Sequence, residues 1–151
     1  MTAITTRRAK IADLDAVAPL FDAYRQFYKQ APDLLRARQF MKERIERNES
    51  IVFVAVTDAR QIVGFCQLYP TFCSVRAAHT YVLYDLFVSP DARGTGAGRS
   101  LMLAAEIHAA KTGAAKMELS TARDNKVAQS LYKSLDWVRD EAFFVYGKSF
   151  G

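Results

Sequence analysis

The sequence contains little that is typical of a membrane or secreted protein. No apolar run approaches the ~20 residues that a membrane-spanning helix needs, and residues 1–10 lack the apolar segment of a signal peptide. The two cysteines, Cys66 and Cys73, are too few for a disulfide framework and have no neighbours at the spacing of zinc ligands. We therefore expect a cytoplasmic protein with no membrane partner and no structural metal.

Internal repeats, low-complexity tracts and linkers are also absent from the 151 residues. Hydrophobic residues make up 50% of the chain and aromatic residues 12%, which favours a globular protein over a disordered one. A chain of this length usually forms one domain with a core of its own. We predict a single domain over residues 1–151.

The charge is unbalanced, with 21 Lys and Arg against 16 Asp and Glu and a formal net charge of +5. Such an excess is typical of nucleic-acid-binding domains and also of domains that hold a polyanionic small molecule. Here basic residues are interleaved with acidic ones and form no stripe with aromatic residues. The pattern favours a polyanionic small molecule; we expect no nucleic-acid partner, and a basic nucleic-acid-binding domain is the alternative.

Apolar periodicity and turn residues predict the element order β-α-α-β-β-β-α-β-α-β. Strands are expected at residues 4–10, 51–56, 62–72, 81–88, 116–121 and 142–150, and helices from residue 14, from residue 32, at 98–111 and at 125–135. A polar loop is expected over residues 74–80. The order predicts an α+β fold with a mixed, largely antiparallel central sheet flanked by helices.

Three of the seven glycines, Gly94, Gly96 and Gly98, follow an apolar strand that ends at Pro90. A helix-forming segment begins at Gly98, so the loop places bare backbone N–H groups at a helix N-terminus, which suits a phosphate or pyrophosphate. The spacing differs from the dinucleotide fingerprint, and the lysine of the kinase-type phosphate loop is missing. A glycine-rich hairpin is the alternative, but a helix follows instead of a second strand.

Two motifs resemble those of the GNAT family of N-acetyltransferases. Residues 93–98 read Arg-x-x-Gly-x-Gly, directly after Leu-Phe-Val-x-Pro, and are similar to that family's acetyl-CoA pyrophosphate loop. Residues 125–137 resemble its second motif, Asn-x-x-Ala-x-x-Leu-Tyr-x-x-x-Gly-Phe, with Asp136 in place of glycine and Trp137 in place of phenylalanine. Because the element order also matches the acetyltransferase fold, the resemblance covers nearly the whole chain.

The resemblance implies that acetyl-CoA is the cofactor. The strand before the loop is expected to hydrogen-bond the pantetheine amides through its backbone, as an added strand would, and the loop is expected to take the pyrophosphate. The expected cofactor-binding residues are Leu86, Phe87, Val88, Arg93, Gly94, Thr95, Gly96, Ala97, Gly98, Arg99, Ser100, Asn125 and Tyr132. Asn125 is by type also a good N-cap for the helix that follows it.

The resemblance also implies that Tyr132 is the general acid that protonates the leaving thiolate; packing is its alternative role. A phenol with a pKa near ~10 is protonated at neutral pH, as an acid must be. The attacking amine must lose a proton, and Asp85 is the nearest carboxylate to accept it, directly or through a water. Tyr84 and a water chain are alternatives for the base, and strand alternation lets only one of Tyr84 and Asp85 face a given pocket.

Aromatic residues near the ends of the predicted elements are candidates for the walls of an acceptor pocket. Aromatic walls around one carboxylate suit a cationic amine, although ordinary core packing would explain the same residues. The expected acceptor-binding residues are Tyr24, Tyr28, Tyr69, Phe72 and Tyr84.

Together these features predict an acetyl-CoA-dependent N-acetyltransferase that moves an acetyl group to a primary amine, such as a small amine, a polyamine-like molecule or a lysine. We expect direct attack by the amine, because neither Cys66 nor Cys73 has a setting that would activate it as a nucleophile. A non-catalytic acyl-CoA-binding sensor is the alternative. The resemblance also implies a homodimer.

Overall fold

The computed structural model describes residues 3–151. In chain order its elements are β1 (Ile4–Arg8), α1 (Leu14–Phe27), α2 (Leu34–Glu46), β2 (Ile51–Thr57), β3 (Ile62–Cys73), β4 (Ala78–Val88), α3 (Ala97–Lys111), β5 (Met117–Glu118) and α4 (Lys126–Ser134). Contacts divide the chain into two units, one that ends at Ser120 and one from Thr121 to Gly151. The single domain expected over residues 1–151 stays a prediction. Among residues 3–151, no helix is long and apolar enough to cross a membrane.

The first unit is built on a five-stranded sheet in the order β1-β2-β3-β4-β5. Neighbouring strands are antiparallel except β4 and β5, which are parallel and joined through α3. Successive residues of a strand face opposite sides: Phe65 packs against Phe21 of α1, whereas the Cys66 thiol donates to the carbonyl of Leu101 in α3. Met41 of α2 belongs to the same buried cluster as Phe65. The helices α1 and α2 therefore cover one face and α3 the other, which confirms the predicted fold class.

Two aspartates at the starts of α1 and α2 have different contacts. Asp13 does not cap α1 with its side chain but directs its carboxylate at Arg7, whose guanidinium nitrogens donate to it at 2.7 and 2.8 Å. These hydrogen bonds lower the pKa of Asp13 and link β1 to the start of α1. Asp33 is the N-cap of α2 and accepts from the N–H of Arg36 at 3.0 Å.

The hairpin of β3 and β4 is longer than predicted. β4 begins at Ala78, so His79, which was expected in a polar loop, lies in the ladder opposite Phe72. Cross-strand pairing therefore overrides the polar composition of this segment. In contrast, β5 is limited to Met117–Glu118 instead of residues 116–121.

The predicted last strand at residues 142–150 is wrong, because no strand is present among residues 136–151. The aromatic composition favours a strand, but a strand also needs a neighbour for its backbone hydrogen bonds. The large apolar side chains of this segment are each more than 80% exposed: Phe143, Phe144, Val145, Tyr146 and Phe150. The observed order is β-α-α-β-β-β-α-β-α.

The second unit contains α4, and both of its ends are capped. The Asn125 side chain accepts from the N–H of Ala128 at 3.2 Å, which confirms its predicted capping role. At the other end Asp136 has a φ of 66°, and the N–H groups of Asp136 and Trp137 donate to carbonyls of the last helical turn. Glycine usually occupies this left-handed position. Val127, in the first turn of α4, is 85% exposed.

We expect Asp136→Gly to stabilise the second unit, because glycine adopts a positive φ without the cost that a Cβ imposes. The gain should be up to about 1 kcal/mol, whereas Asp136→Val should lose stability. Urea unfolding followed by the fluorescence of Trp137, the single tryptophan of the sequence, measures both. Equal stability of the two variants would contradict this role of the φ angle.

Candidate active site

One extra residue interrupts the ladder between β3 and β4. Gln67 pairs with Asp85, but the next residue of β3, Leu68, pairs with Leu83, so Tyr84 has no partner on β3. Such a bulge bends the strand and redirects its side chains. Tyr84 is 65% exposed while Asp85 is only 4% exposed, and the Tyr24 hydroxyl donates to the Tyr84 carbonyl at 2.9 Å. The bulge therefore turns Asp85 inward beneath α1.

The carboxylate of Asp85 is buried without a cationic partner. Its Oδ2 accepts a hydrogen bond from Nε2 of Gln67 at 2.6 Å. Among residues 3–151, no lysine, arginine or histidine lies within ion-pair distance of it. Burial raises the pKa of Asp85, and the Gln67 hydrogen bond opposes that effect. When this carboxylate is ionised, no cation among residues 3–151 balances its charge.

Tyrosines surround this carboxylate on two sides. The ring of Tyr24 lies 5.1 Å from that of Tyr28, and the ring of Tyr69 lies 5.6 Å from that of Tyr84. Burial and the charge of Asp85 raise the pKa values of Tyr24, Tyr28 and Tyr69, so these phenols stay protonated at neutral pH. The structure thus brings together four of the five residues expected to bind the acceptor.

Phe72, the fifth of these residues, lies elsewhere. It is five positions beyond Gln67 on β3, opposite His79. At about 3.3 Å per residue this is roughly 16 Å along the strand. Its side chain is 80% exposed, so it is not a wall of the cluster around Asp85.

The C-terminal half of β4 has one free edge. β5 pairs only with Tyr81 and Val82, and the N–H of Ser89 donates to the Val63 carbonyl on the β3 side at 2.8 Å. Because backbone groups alternate along a strand, those of residues 86 and 88 face away from β3. Nε of Arg93 reaches the Val88 carbonyl at this edge, at 3.3 Å. The edge can accept an extended chain that forms strand-like hydrogen bonds.

The glycine loop follows this edge directly. Gly94 and Gly96 have φ values of 81° and 87°, a region that glycine favours, and α3 begins at Ala97. Among residues 3–151, no backbone carbonyl accepts a hydrogen bond from the N–H groups of residues 94–98. A Cβ built on Gly94 or Gly96 would meet no atom within 4 Å. The loop is therefore an open row of N–H donors at the N-terminus of a 15-residue helix, an arrangement that fits a pyrophosphate.

The remaining predicted site residues, Asn125 and Tyr132, belong to the second unit. Tyr132 lies in α4, half-buried, with its ring 6.4 Å from that of Trp137. Asn125 caps the same helix.

The sequence analysis missed two residues, Gln67 and Ser50. Gln67 is fully buried, and Ser50, directly before β2, donates from its Oγ to Oε1 of Gln67 at 2.6 Å. A glutamine inside the apolar run of residues 62–68 was a signal, because a buried polar side chain needs partners. Nothing in the sequence around Ser50 indicated a role for it.

Cys66 is an inert thiol. It is fully buried between β3 and α3, and burial raises its pKa to about 12. A thiol is nucleophilic as the thiolate, which this environment suppresses. A covalent acetyl group on Cys66 is therefore not a step that this site supports.

A strand with a free edge leads into an open loop of N–H donors, an arrangement that fits an extended chain with a pyrophosphate. A family model described as "Acetyltransferase (GNAT) family" matches residues 15–137. The chain belongs to this family and is an acetyltransferase, and enzymes of the family use acetyl-CoA.

Known proteins resemble the chain over almost its full length. An uncharacterized N-acetyltransferase of Bacillus subtilis, YhfO, is 45% identical over 140 residues, which are 93% of each chain. The crystal structure of a probable acetyltransferase has a TM-score of 0.91 and 34% identity, and covers 97% of this chain and 98% of its own. An aminoglycoside N-acetyltransferase, AAC(6')-Iy, in complex with CoA has a TM-score of 0.81 at 17% identity, with 98% and 96% covered; it shares the fold.

The burial of Cys66 predicts that only one of the two thiols reacts in the native protein. Cys73, at the end of β3, is partly exposed. We expect iodoacetamide at about pH 8 to add a single carbamidomethyl group to the folded chain and a second one after denaturation, as read by mass spectrometry. The variant Cys73→Ser should then show no native labelling. Labelling of Cys66 in the folded protein at the rate of Cys73 would contradict its burial.

Proposed function

We propose that the protein transfers the acetyl group of acetyl-CoA to the primary amine of a cationic acceptor, by direct attack of the amine. The acceptor would be a small amine, a polyamine-like molecule or a lysine side chain. The observation that carries the proposal is the buried carboxylate of Asp85, which has no cationic partner among residues 3–151 and lies beside the free edge of β4.

On the cofactor side, the free edge of β4 would hold the pantetheine arm and the glycine loop would hold the pyrophosphate. Support comes from the N–H groups of residues 94–98 and from the dipole of α3. Arg93 adds positive charge next to the loop. The residue-by-residue assignment follows the motif resemblance, and the structural neighbour in complex with CoA has the same fold.

On the acceptor side, an ammonium group would supply the charge that Asp85 lacks. A buried carboxylate gains more from a bound cation than an exposed one, because water screens the pair less. The faces of Tyr24, Tyr28, Tyr69 and Tyr84 add cation–π attraction and exclude anions. This favours a compact cationic amine over a neutral or acidic acceptor.

The chemistry requires three proton transfers. Asp85 is almost fully buried, so we assign it the first proton of the acceptor ammonium, received through one bridging water and later passed to solvent. Acetyl-CoA would supply the activated thioester: a C–N bond would form at its carbonyl, the nitrogen would release its second proton to solvent, and the C–S bond would break. Tyr132 would give its phenolic proton to the departing sulfur and be re-protonated by solvent. The cytoplasmic location and the homodimer stay predictions.

The test is the release of free thiol from acetyl-CoA in the presence of single amines. The panel contains monoamines, polyamines, aminoglycosides, amino acids and a lysine peptide, together with an acidic control such as N-acetylaspartate. We expect turnover with at least one cationic amine and none with the control. Binding of CoA without thiol release across the panel would instead identify the sensor alternative.

For Tyr132→Phe we expect kcat to fall by about 10²-fold or more, since general acid catalysis contributes that much. The affinity for CoA, measured by calorimetry, should be unchanged, because the phenyl ring is retained. An unchanged kcat would remove Tyr132 from the mechanism.

Gly96→Val should have the opposite effect to Tyr132→Phe, because it alters the loop that is proposed to bind CoA. At a φ of 87° a β-branched side chain is strained, and relief of that strain would move the loop N–H groups. We expect CoA affinity to fall on the order of tenfold or more.

A further inference from the structure

The side-chain amide of Gln67 forms one hydrogen bond to Asp85 and another to a second buried residue, Ser50. Its side chain is 0% exposed and lies directly across from Asp85 in the β3–β4 ladder. Nε2 donates to Asp85 Oδ2 at 2.6 Å, and Oε1 accepts from Oγ of Ser50 at 2.6 Å. The same Nε2 lies 3.7 Å from the sulfur of Met41. Both ends of the amide are therefore bound inside the protein.

Ser50 anchors the oxygen end of the amide. Its hydroxyl is buried, at 4% residue exposure, and donates to the carbonyl end of Gln67. The ionised carboxylate of Asp85 can only accept, so it selects the orientation in which the NH₂ end faces it; a flipped amide would set its oxygen against the carboxylate. The hydrogen bond from Ser50 satisfies the amide oxygen in that orientation and so helps to hold the NH₂ donor at Asp85.

We propose that Gln67, anchored by Ser50, is a positioning residue that holds the carboxylate of Asp85 in place and in its ionised, proton-accepting form. The inference rests on the proposed function, in which Asp85 takes the proton of the acceptor amine. Neither Gln67 nor Ser50 touches the acceptor in this proposal; both act through Asp85.

The electrostatic surroundings make this role necessary. Burial favours the neutral acid, and the other titratable groups that face the carboxylate supply no positive charge. These groups are Tyr24 on α1, Tyr28 directly after α1, and Tyr69 on β3; Cys66 lies on the opposite face of the sheet, towards α3. On α2, Met41 is neutral, and Arg44 is paired with Glu43 and Glu49 at 3.2 and 3.1 Å. In the absence of acceptor, the groups that lower the pKa of Asp85 and so favour its ionisation are the amide of Gln67, which has the larger effect, and the hydroxyl of Tyr24.

The decisive measurement is the titration of Asp85 itself, without cofactor or acceptor. The ¹³C shift of its side-chain carboxyl, assigned by its loss in Asp85→Asn, reports the pKa directly in the full chain. We expect Gln67→Met, which fills a similar volume but cannot donate, to raise this pKa by about one to two pH units. Ser50→Ala should raise it by a smaller amount, because the amide loses the hydrogen bond that anchors its oxygen and helps to hold its NH₂ end at Asp85.

Ser50→Thr is the matched control, since it keeps the hydroxyl and should leave the titration of Asp85 unchanged. Gln67→Glu adds a second carboxyl that must share a proton with Asp85, so it should raise the pKa further. If Gln67→Met or Gln67→Glu fails to fold, the test is the difference in the pKa of Asp85 between Ser50→Ala and Ser50→Thr. An unshifted Asp85 titration in the folded Ser50→Ala and Gln67→Met variants would overturn the inference.

The pH profile of kcat/KM separates this inference from the proposed function. If Asp85 is the base, the acidic limb of the profile should move to higher pH in Ser50→Ala by the amount seen in the titration, a change that a packing defect alone would not cause. If the pKa of Asp85 rises in Ser50→Ala but the acidic limb of the kcat/KM profile stays in place, Asp85 is not the base of the proposed reaction. That result would still support the inference that Gln67 keeps the Asp85 carboxylate ionised.

Discussion

An antiparallel ladder repeats every two residues, and the extra residue at Tyr84 breaks that repeat between Leu83 and Asp85. The cluster around Asp85 depends on this break. It places a carboxylate beneath α1, exposes the ring of Tyr84 and directs the Tyr84 carbonyl at the hydroxyl of Tyr24. It also coincides with the point where β5 stops pairing and the edge of β4 becomes free. A regular strand would have kept Tyr84 in the ladder between Leu83 and Asp85.

The buried carboxylate illustrates how a site is kept reactive at a cost in stability. An unpaired charge inside a protein is unfavourable, and a nearby lysine or arginine would relieve it. The described residues offer instead a chain of neutral donors, Ser50 and Gln67, which stabilises the negative charge without neutralising it. In the proposed function, the ammonium group of the acceptor supplies the positive charge. The glycine loop is the converse case, a group of donors without an internal partner. Its N–H groups have no backbone acceptor among the described residues and are available to an anion.

Elements with a strong local signal were predicted well. The glycine loop with the α3 that follows it and the capping role of Asn125 each depend on the properties of one or a few neighbouring residues. The elements that differed depend on distant partners. The segment at residues 142–150 has the composition of a strand but no strand beside it, and His79 joined a ladder because β3 lies next to it. Phe72 was grouped with the acceptor tyrosines by type, yet the register puts it far along β3.

The sequence alone determined the family and the order of loop and helix in the first unit, because both are encoded by residues close together in the chain. It also indicated that Asp85 is a candidate for the acceptor side. The tertiary structure decided that Asp85 is buried and surrounded by tyrosines from three elements. It also decided that Gln67 and Ser50 support Asp85, since the residues involved are 17 to 18 positions apart in sequence and meet only through strand pairing. Periodicity predicts which face a residue takes, but the partner across the sheet depends on register, and one bulge changes that register.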